Sequence, residues 1–138
     1  YYDGGVIEIG GIVIRNWNSG AWGLQDMTGL LAHSLNVGAA TLSVNMGAPE
    51  FYNYMTAFGL GQPTNIDLSY EARGRLKRPG DPDWGDSALG TNSFGQGISV
   101  TPIQLITAIS AVANRGAMMH PTANHGATNF SRSGDAIE

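Results

Sequence analysis

The chain has no cysteine, which excludes disulfides, thiolate metal sites and cysteine nucleophiles and leaves its redox compartment open. Cationic residues are also few. There are seven against eleven acidic ones, for a formal net charge of −4, and only Arg73, Arg75, Lys77 and Arg78 cluster. That run has no interleaved aromatics to stack bases, so it reads as a solvated loop face, and nucleic acid is excluded as a partner. No apolar run reaches membrane-spanning length, no signal peptide or anchor is visible, and no internal repeat occurs. With Tyr1 in place of an initiator Met, the chain reads as starting within a longer protein. Charged residues make up 13% and apolar ones 42%, the balance of a globular chain rather than a disordered tail. At 138 residues it holds one small domain or part of a larger one.

Val6 to Ile9 and Ile12 to Ile14 are β-branched runs separated by Gly10 and Gly11, a pair suited to a two-residue hairpin turn. The turn-rich stretch 16–23 holds Trp17 and Trp22, expected as packing anchors. From a candidate N-cap at Asp26, the residues Met27, Leu30, Leu31, Leu35, Ala39, Leu42 and Met46 recur at three and four and predict a buried helical face. A further helix is predicted from Pro49, a stripe of Phe51, Met55 and Phe58, and a stop at Gly59. Residues 59–97 carry turn formers and predict loops with brief extended pieces. Thr101, Pro102 and Gln104 form a capping-box start for a helix ending near Asn114, with Ile103, Ile106, Ile109, Ser110 and Ala113 on its buried stripe. Arg115 suits the negative end of that helix dipole, and Gly116 the left-handed cap. Residues 122–138 read as a polar, flexible tail.

Two hydrogen-bonding side chains interrupt the apolar pattern in His33-Ser34-Leu35-Asn36-Val37-Gly38. On a regular helix, residues two apart diverge by about 200°, so Ser34 and Asn36 serve one site only if the backbone leaves helical geometry there. A break between two helices within 34–37 is therefore expected.

Ser34-Leu35-Asn36, followed by Val37 and Gly38, resembles the Ser-X-Asn motif of penicillin-binding protein transpeptidase domains. GGIVIRNWNSGAWG at 10–23, FYNYMTAFGLGQPTNIDL at 51–68, EARGRL at 71–76 and SFGQGISVTPIQLITAISAVANRG at 93–116 resemble, in order and spacing, the same region of class B enzymes. The resemblance covers about residues 3–121. It implies an α/β parent fold of the penicillin-binding protein and serine β-lactamase kind, with an antiparallel sheet and helices on both faces. This chain would be mainly its helical subdomain with an N-terminal β-hairpin, residues 1–121 forming a partial transpeptidase domain.

In that family the nucleophile is the Ser of a Ser-X-X-Lys motif. None of the serines here has a lysine three positions on, because Lys77 is the sole lysine. The third family motif, Lys-Thr/Ser-Gly, is absent in strict form, and its nearest look-alike, Arg132-Ser133-Gly134, reads as polar tail. The resemblance implies that Ser34 relays protons to and from the leaving amine and that Asn36 hydrogen-bonds the acyl side chain of a stem peptide or β-lactam. It also implies that Gly95, Gln96 and Gly97 form a tight turn lining the cleft. Its partners would be peptidoglycan stem peptides and β-lactams at an extracytoplasmic location, with no metal or organic cofactor. A homo-oligomer formed through apolar surface left exposed is expected as well.

The leading reading is a fragment of a D,D-transpeptidase, inactive alone. One alternative is a stand-alone binding module derived from that domain. The other is a β-lactam or ester hydrolase with a rearranged site, for which Ser34 beside His33 is the one tempting nucleophile and base, although adjacent residues seldom place side chains within hydrogen-bond reach. His120, His125 and Asp135 make a poor metal signature at their spacing. Gly95-Gln96-Gly97 lacks the following Lys of a phosphate loop.

Overall fold

A computed structural model describes residues 1–123 and, as backbone, 132–136. The chain divides into two units, Tyr1–Phe51 with Lys77–Gly97, and Tyr52–Leu76 with Ile98–Glu138.

In the first unit β1 (Tyr2–Asp3) anticipates a partner 20 residues on, β4 (Gly23–Leu24), with Tyr2 opposite Leu24. Between them β2 (Val6–Ile9) and β3 (Ile12–Arg15) form the expected hairpin, Ile9 opposite Ile12. Gly10 and Gly11 both take positive φ, 55° and 76°, as a type I′ turn requires. The β1 and β4 pairing has no strand-length signal in the sequence, and it is held by the reciprocal backbone bonds of Tyr1 and Gln25, both 2.9 Å.

Helix α1 (Met27–Ala32) starts where Asp26 predicts, its Oδ1 accepting from the Gly29 amide at 2.7 Å. Helix α2 (Asn36–Met46) follows a three-residue break. The apolar stripe expected along 27–46 is only partly buried: Leu30 and Leu35 are inside, but Met27, Leu31 and Met46 are exposed. Instead α2 buries Val37, Gly38, Ala40 and Ser43, a face of small residues that lets neighbours approach closely. A Cβ on Gly38 would collide with the Tyr1 hydroxyl and lie 2.7 Å from Leu30 Cδ1.

Helix α3 (Ala48–Ala57) carries the chain out of the first unit and ends as expected at Gly59, with φ 76°. The chain returns to form α4 (Asp86–Ser93), a helix in a stretch expected to be loop. No apolar stripe announces it, because its packing surface is Gly90: a Cβ there would sit 2.7 Å from Ile9 Cδ1 and 2.8 Å from Ile14 Cδ1. Trp17, expected as a packing anchor, is 75% exposed.

In the second unit β5 (Arg75–Leu76) pairs with β6 (Ile98–Ser99). Glu71 staples the loop before it, accepting from the Thr64 amide at 2.7 Å, the Thr64 hydroxyl at 2.6 Å and the Asn65 amide at 2.9 Å. The Thr64 hydroxyl bond is the main cause that holds its carboxyl below the usual range. Helix α5 (Pro102–Ala113) has the predicted capping box: Gln104 N donates to Thr101 Oγ1 at 3.2 Å, and Thr101 N to Gln104 Oε1 at 2.9 Å.

The buried face of α5 is not the predicted one. Gln104, Thr107, Ala108 and Ala111 point inward, while Leu105, Ile106, Ile109 and Val112 are 49 to 70% exposed. The rotation follows the buried Gln104 amide, whose Nε2 donates to the Gln62 carbonyl and, at 2.8 Å, to that of Arg73. A buried amide must satisfy its hydrogen bonds, whereas an isoleucine has no comparable directional demand. At the end of α5 the left-handed residue after the C-cap is Arg115, φ 56°, with Gly116 following at 84°, so the cap expected of Gly116 begins one residue earlier. Residues 132–136, expected within a flexible tail, form β8 (Arg132–Ala136) against β7 (Ala117–Met119).

Candidate functional site

The break between α1 and α2 is a helix C-cap closed by a serine. The Leu35 amide reaches back to the Leu30 carbonyl at 3.0 Å while Ser34 takes φ 51°, the left-handed position that glycine ordinarily fills. That conformation costs a non-glycine residue about 1–2 kcal/mol. Ser19, Asn65, Tyr70 and Arg115 take similar positive φ, so what distinguishes Ser34 is the groove it lines rather than the strain itself. The break expected from the sequence is present at His33 to Leu35. It brings Ser34 and Asn36 onto one groove of about 210 Å³, with Leu31, Ala39, Ser93 and Phe94 among its walls.

Relief of the left-handed strain makes Ser34→Gly a measurable change. Removing 1–2 kcal/mol of strain, offset by about 0.4–1 kcal/mol of added unfolded-chain entropy, should stabilise the fold by about 0.5–1 kcal/mol. Ser34→Ala, which keeps a Cβ, should not. Calorimetry on the two variants decides this, and a glycine variant no more stable than the alanine one would refute the strain.

Asn36 opens α2 and is half-buried. Its Nδ2 donates to the Arg15 carbonyl at 3.0 Å, which leaves Oδ1 and a second N–H as an acceptor and donor side by side. This arrangement complements a peptide group. Immediately after it, the buried Val37 amide donates to Asn16 Oδ1 at 3.1 Å. Among the described residues neither the Ser34 hydroxyl nor the His33 ring makes a hydrogen bond. His33 stacks on Trp22 instead, centroids 4.0 Å apart and planes inclined by 24°. Nothing in this geometry makes His33 a base for Ser34.

Gly95, Gln96 and Gly97 follow directly after Phe94 and close α4. Gln96 N donates to the Thr91 carbonyl at 3.0 Å and Gly95 N to that of Asn92 at 3.1 Å, with Gly95 at φ 88°. A Cβ on Gly97 would collide with Asn92 Oδ1, so this stretch is tied to the buried Asn92. Ser93 and Phe94, which reach the groove, were not singled out from sequence. The signal for them was the C-cap glycine at 95, which marks the two residues before it as a helix end. The Ser93 hydroxyl is engaged with the Gly90 carbonyl at 2.6 Å.

Among the described residues no three His, Cys, Asp or Glu side chains converge to hold a metal. His125 lies outside the described residues. Asp135 and Arg132-Ser133-Gly134 are described as the backbone of β8 only. A second cavity, of about 260 Å³, lies within the other unit and is lined by Phe58, Thr107, Met118 and His120 among others.

The profile of the penicillin binding protein transpeptidase domain matches residues 3–132. Stage V sporulation protein D of Bacillus subtilis is 38% identical over 88% of this chain and 18% of its own length. Penicillin-binding protein PbpB of Mycolicibacterium smegmatis is 36% identical over 85% of this chain and 18% of its own length. The chain thus spans about a fifth of these relatives. Among solved structures, penicillin binding protein 3 from Mycobacterium tuberculosis complexed with aztreonam matches with a TM-score of 0.80 and 30% identity, covering 96% of this chain and 30% of that one.

Proposed function

Since the chain belongs to the penicillin binding protein transpeptidase domain family, we propose that it supplies the Ser-X-Asn part of a D,D-transpeptidase site. The protein it serves crosslinks peptidoglycan stem peptides by serine acyl transfer outside the cytoplasm and is acylated by β-lactams. Ser34 relays the proton between nucleophile and leaving amine, and Asn36 holds the amide of the acyl side chain through its unoccupied acceptor and donor. Gly95 to Gly97 are not among the residues lining the groove and enter this reading only as the turn that follows its Phe94 and closes α4. The observation that carries this reading is the left-handed break that turns Ser34 and Asn36 into one groove. No helix among the described residues is long and apolar enough to cross a membrane.

The test is a chimaera in which residues 1–123 replace the matching stretch of penicillin binding protein 3 from Mycobacterium tuberculosis, whose remaining segments complete the domain. It should be acylated by a fluorescent penicillin. Ser34→Ala should slow acylation by about 10²-fold or more, the usual contribution of a positioned proton-transfer group. Asn36→Ala should weaken saturation as well as rate. Acylation indifferent to both substitutions would refute the assignment.

The exposed aliphatic face of α5 favours a second property, association of the isolated chain with its own copies. No charged residue occurs between 101 and 114, and Leu105, Ile109 and Val112 fall at four- and three-residue spacing along one seam.

A further inference from the structure

The start of α2 has a capping problem that its own sequence does not solve. The N-cap residue is Leu35, which has no side-chain acceptor, and both Leu35 (1% exposed) and Val37 (3%) are closed to water. An amide in the first turn of a helix has no partner within the helix, so a buried one needs an acceptor from elsewhere. Asn16, 21 residues away at the end of β3, provides it through Oδ1.

An asparagine amide can face either way, and what fixes this one is Asp3. The carboxylate is 0% exposed and, when ionised, only accepts hydrogen bonds. Asn16 Nδ2 lies 3.0 Å from Asp3 Oδ1 and 2.9 Å from Oδ2, and 3.0 Å from the Gly20 carbonyl, so the nitrogen end faces three acceptors. The oxygen end must then face the Val37 amide. Asp3 is fixed in turn by the Gly5 amide at 2.7 Å and the Tyr1 hydroxyl at 3.4 Å. Burial first, and then the Asp3 charge, push that hydroxyl up to about 12, so it stays a donor at neutral pH. The residue beside Asn16 completes the clamp, since the Arg15 carbonyl takes Nδ2 of Asn36.

We propose that Asp3 and Asn16 are positioning residues for the Ser34 to Asn36 turn: Asp3 orients the Asn16 amide, which caps α2 at Val37 and thereby sets where Asn36 begins the helix. Neither residue touches the groove. The pair acts through the backbone of the turn, and its importance for chemistry rests on the reading of Ser34 and Asn36 as site residues.

The experiment is amide exchange and side-chain resonance assignment on the full 138-residue chain, with no penicillin present. Asp3→Asn lets the Asn16 amide reverse and present its nitrogen to Val37, Asn16→Ala removes the acceptor, and Asn16→Asp sets two carboxylates together. Each should lower Val37 exchange protection by about tenfold, the effect of losing a helix cap, and move the Ser34 backbone and Asn36 side-chain resonances. The swap Asp3→Asn with Asn16→Asp restores the bond between the two side chains and the Val37 acceptor, because residue 3 then donates to residue 16, whose carboxylate still accepts from Val37, although the Gly20 carbonyl loses its donor, so Val37 protection should recover in part. Recovery of Val37 protection in the swap supports the proposal even if the single variants unfold. Single variants that leave Val37 and the turn unchanged, or a swap no better protected than they are, would overturn it. Because no acylation is measured, a silent Ser34→Ala in the chimaera with an intact Val37 response refutes only the functional reading, and the reverse refutes only this one.

Discussion

Incubation with a fluorescent penicillin is expected to leave the intact mass of the 138-residue chain unchanged. Opening a β-lactam requires a serine whose proton is taken as it attacks, and the family's Ser-X-X-Lys provides both groups. Lys77 is the sole lysine, has no serine three positions before it, and is paired with Asp83 at 3.3 Å. Ser34 is the serine best placed on a groove, yet its neighbour His33 is stacked on Trp22 and gives it no base. The effect is all or none. A stoichiometric mass increase that Ser34→Ala abolishes would overturn the inert-fragment reading and favour a rearranged hydrolase site.

The second large effect is association. Leu105, Ile106, Ile109 and Val112 present aliphatic surface along one helix face, and monomeric proteins rarely expose contiguous apolar patches of this kind. A second copy can cover it by pairing α5 with α5, an arrangement in which each substitution acts twice. Burying one isoleucine side chain contributes about 1.5–3 kcal/mol, so Ile109→Glu should weaken a two-fold pair by at least 100-fold. Light scattering should show oligomers for the parent chain and monomer for Ile109→Glu. A parent chain that is strictly monomeric, or an oligomer indifferent to the substitution, would sink the idea.

The candidate site was half legible. Ser34 and Asn36 stood out because two polar residues at that spacing fit one groove only through a break, and the break is there. Trp17 failed as an expected anchor and α4 went unseen for related reasons. An aromatic does not carry its burial in its identity, and a helix that packs through Gly90 has no stripe to read.

What the sequence determined by itself lies within about five residues of its cause: the Gly10-Gly11 turn, the Asp26 cap, the Gly59 stop and the Thr101 to Gln104 box. Each is a backbone hydrogen bond or a sign of φ closed by neighbouring residues, so local spacing is enough to find it. Only the tertiary structure decided which face of α5 turns inward, because Gln104 answers to carbonyls 31 and 42 residues away. It also decided how α2 begins, because the acceptor for Val37 belongs to a residue 21 positions earlier and is oriented by another 13 before that. Such partners satisfy buried polar groups by position in space, and no periodicity along the chain records them.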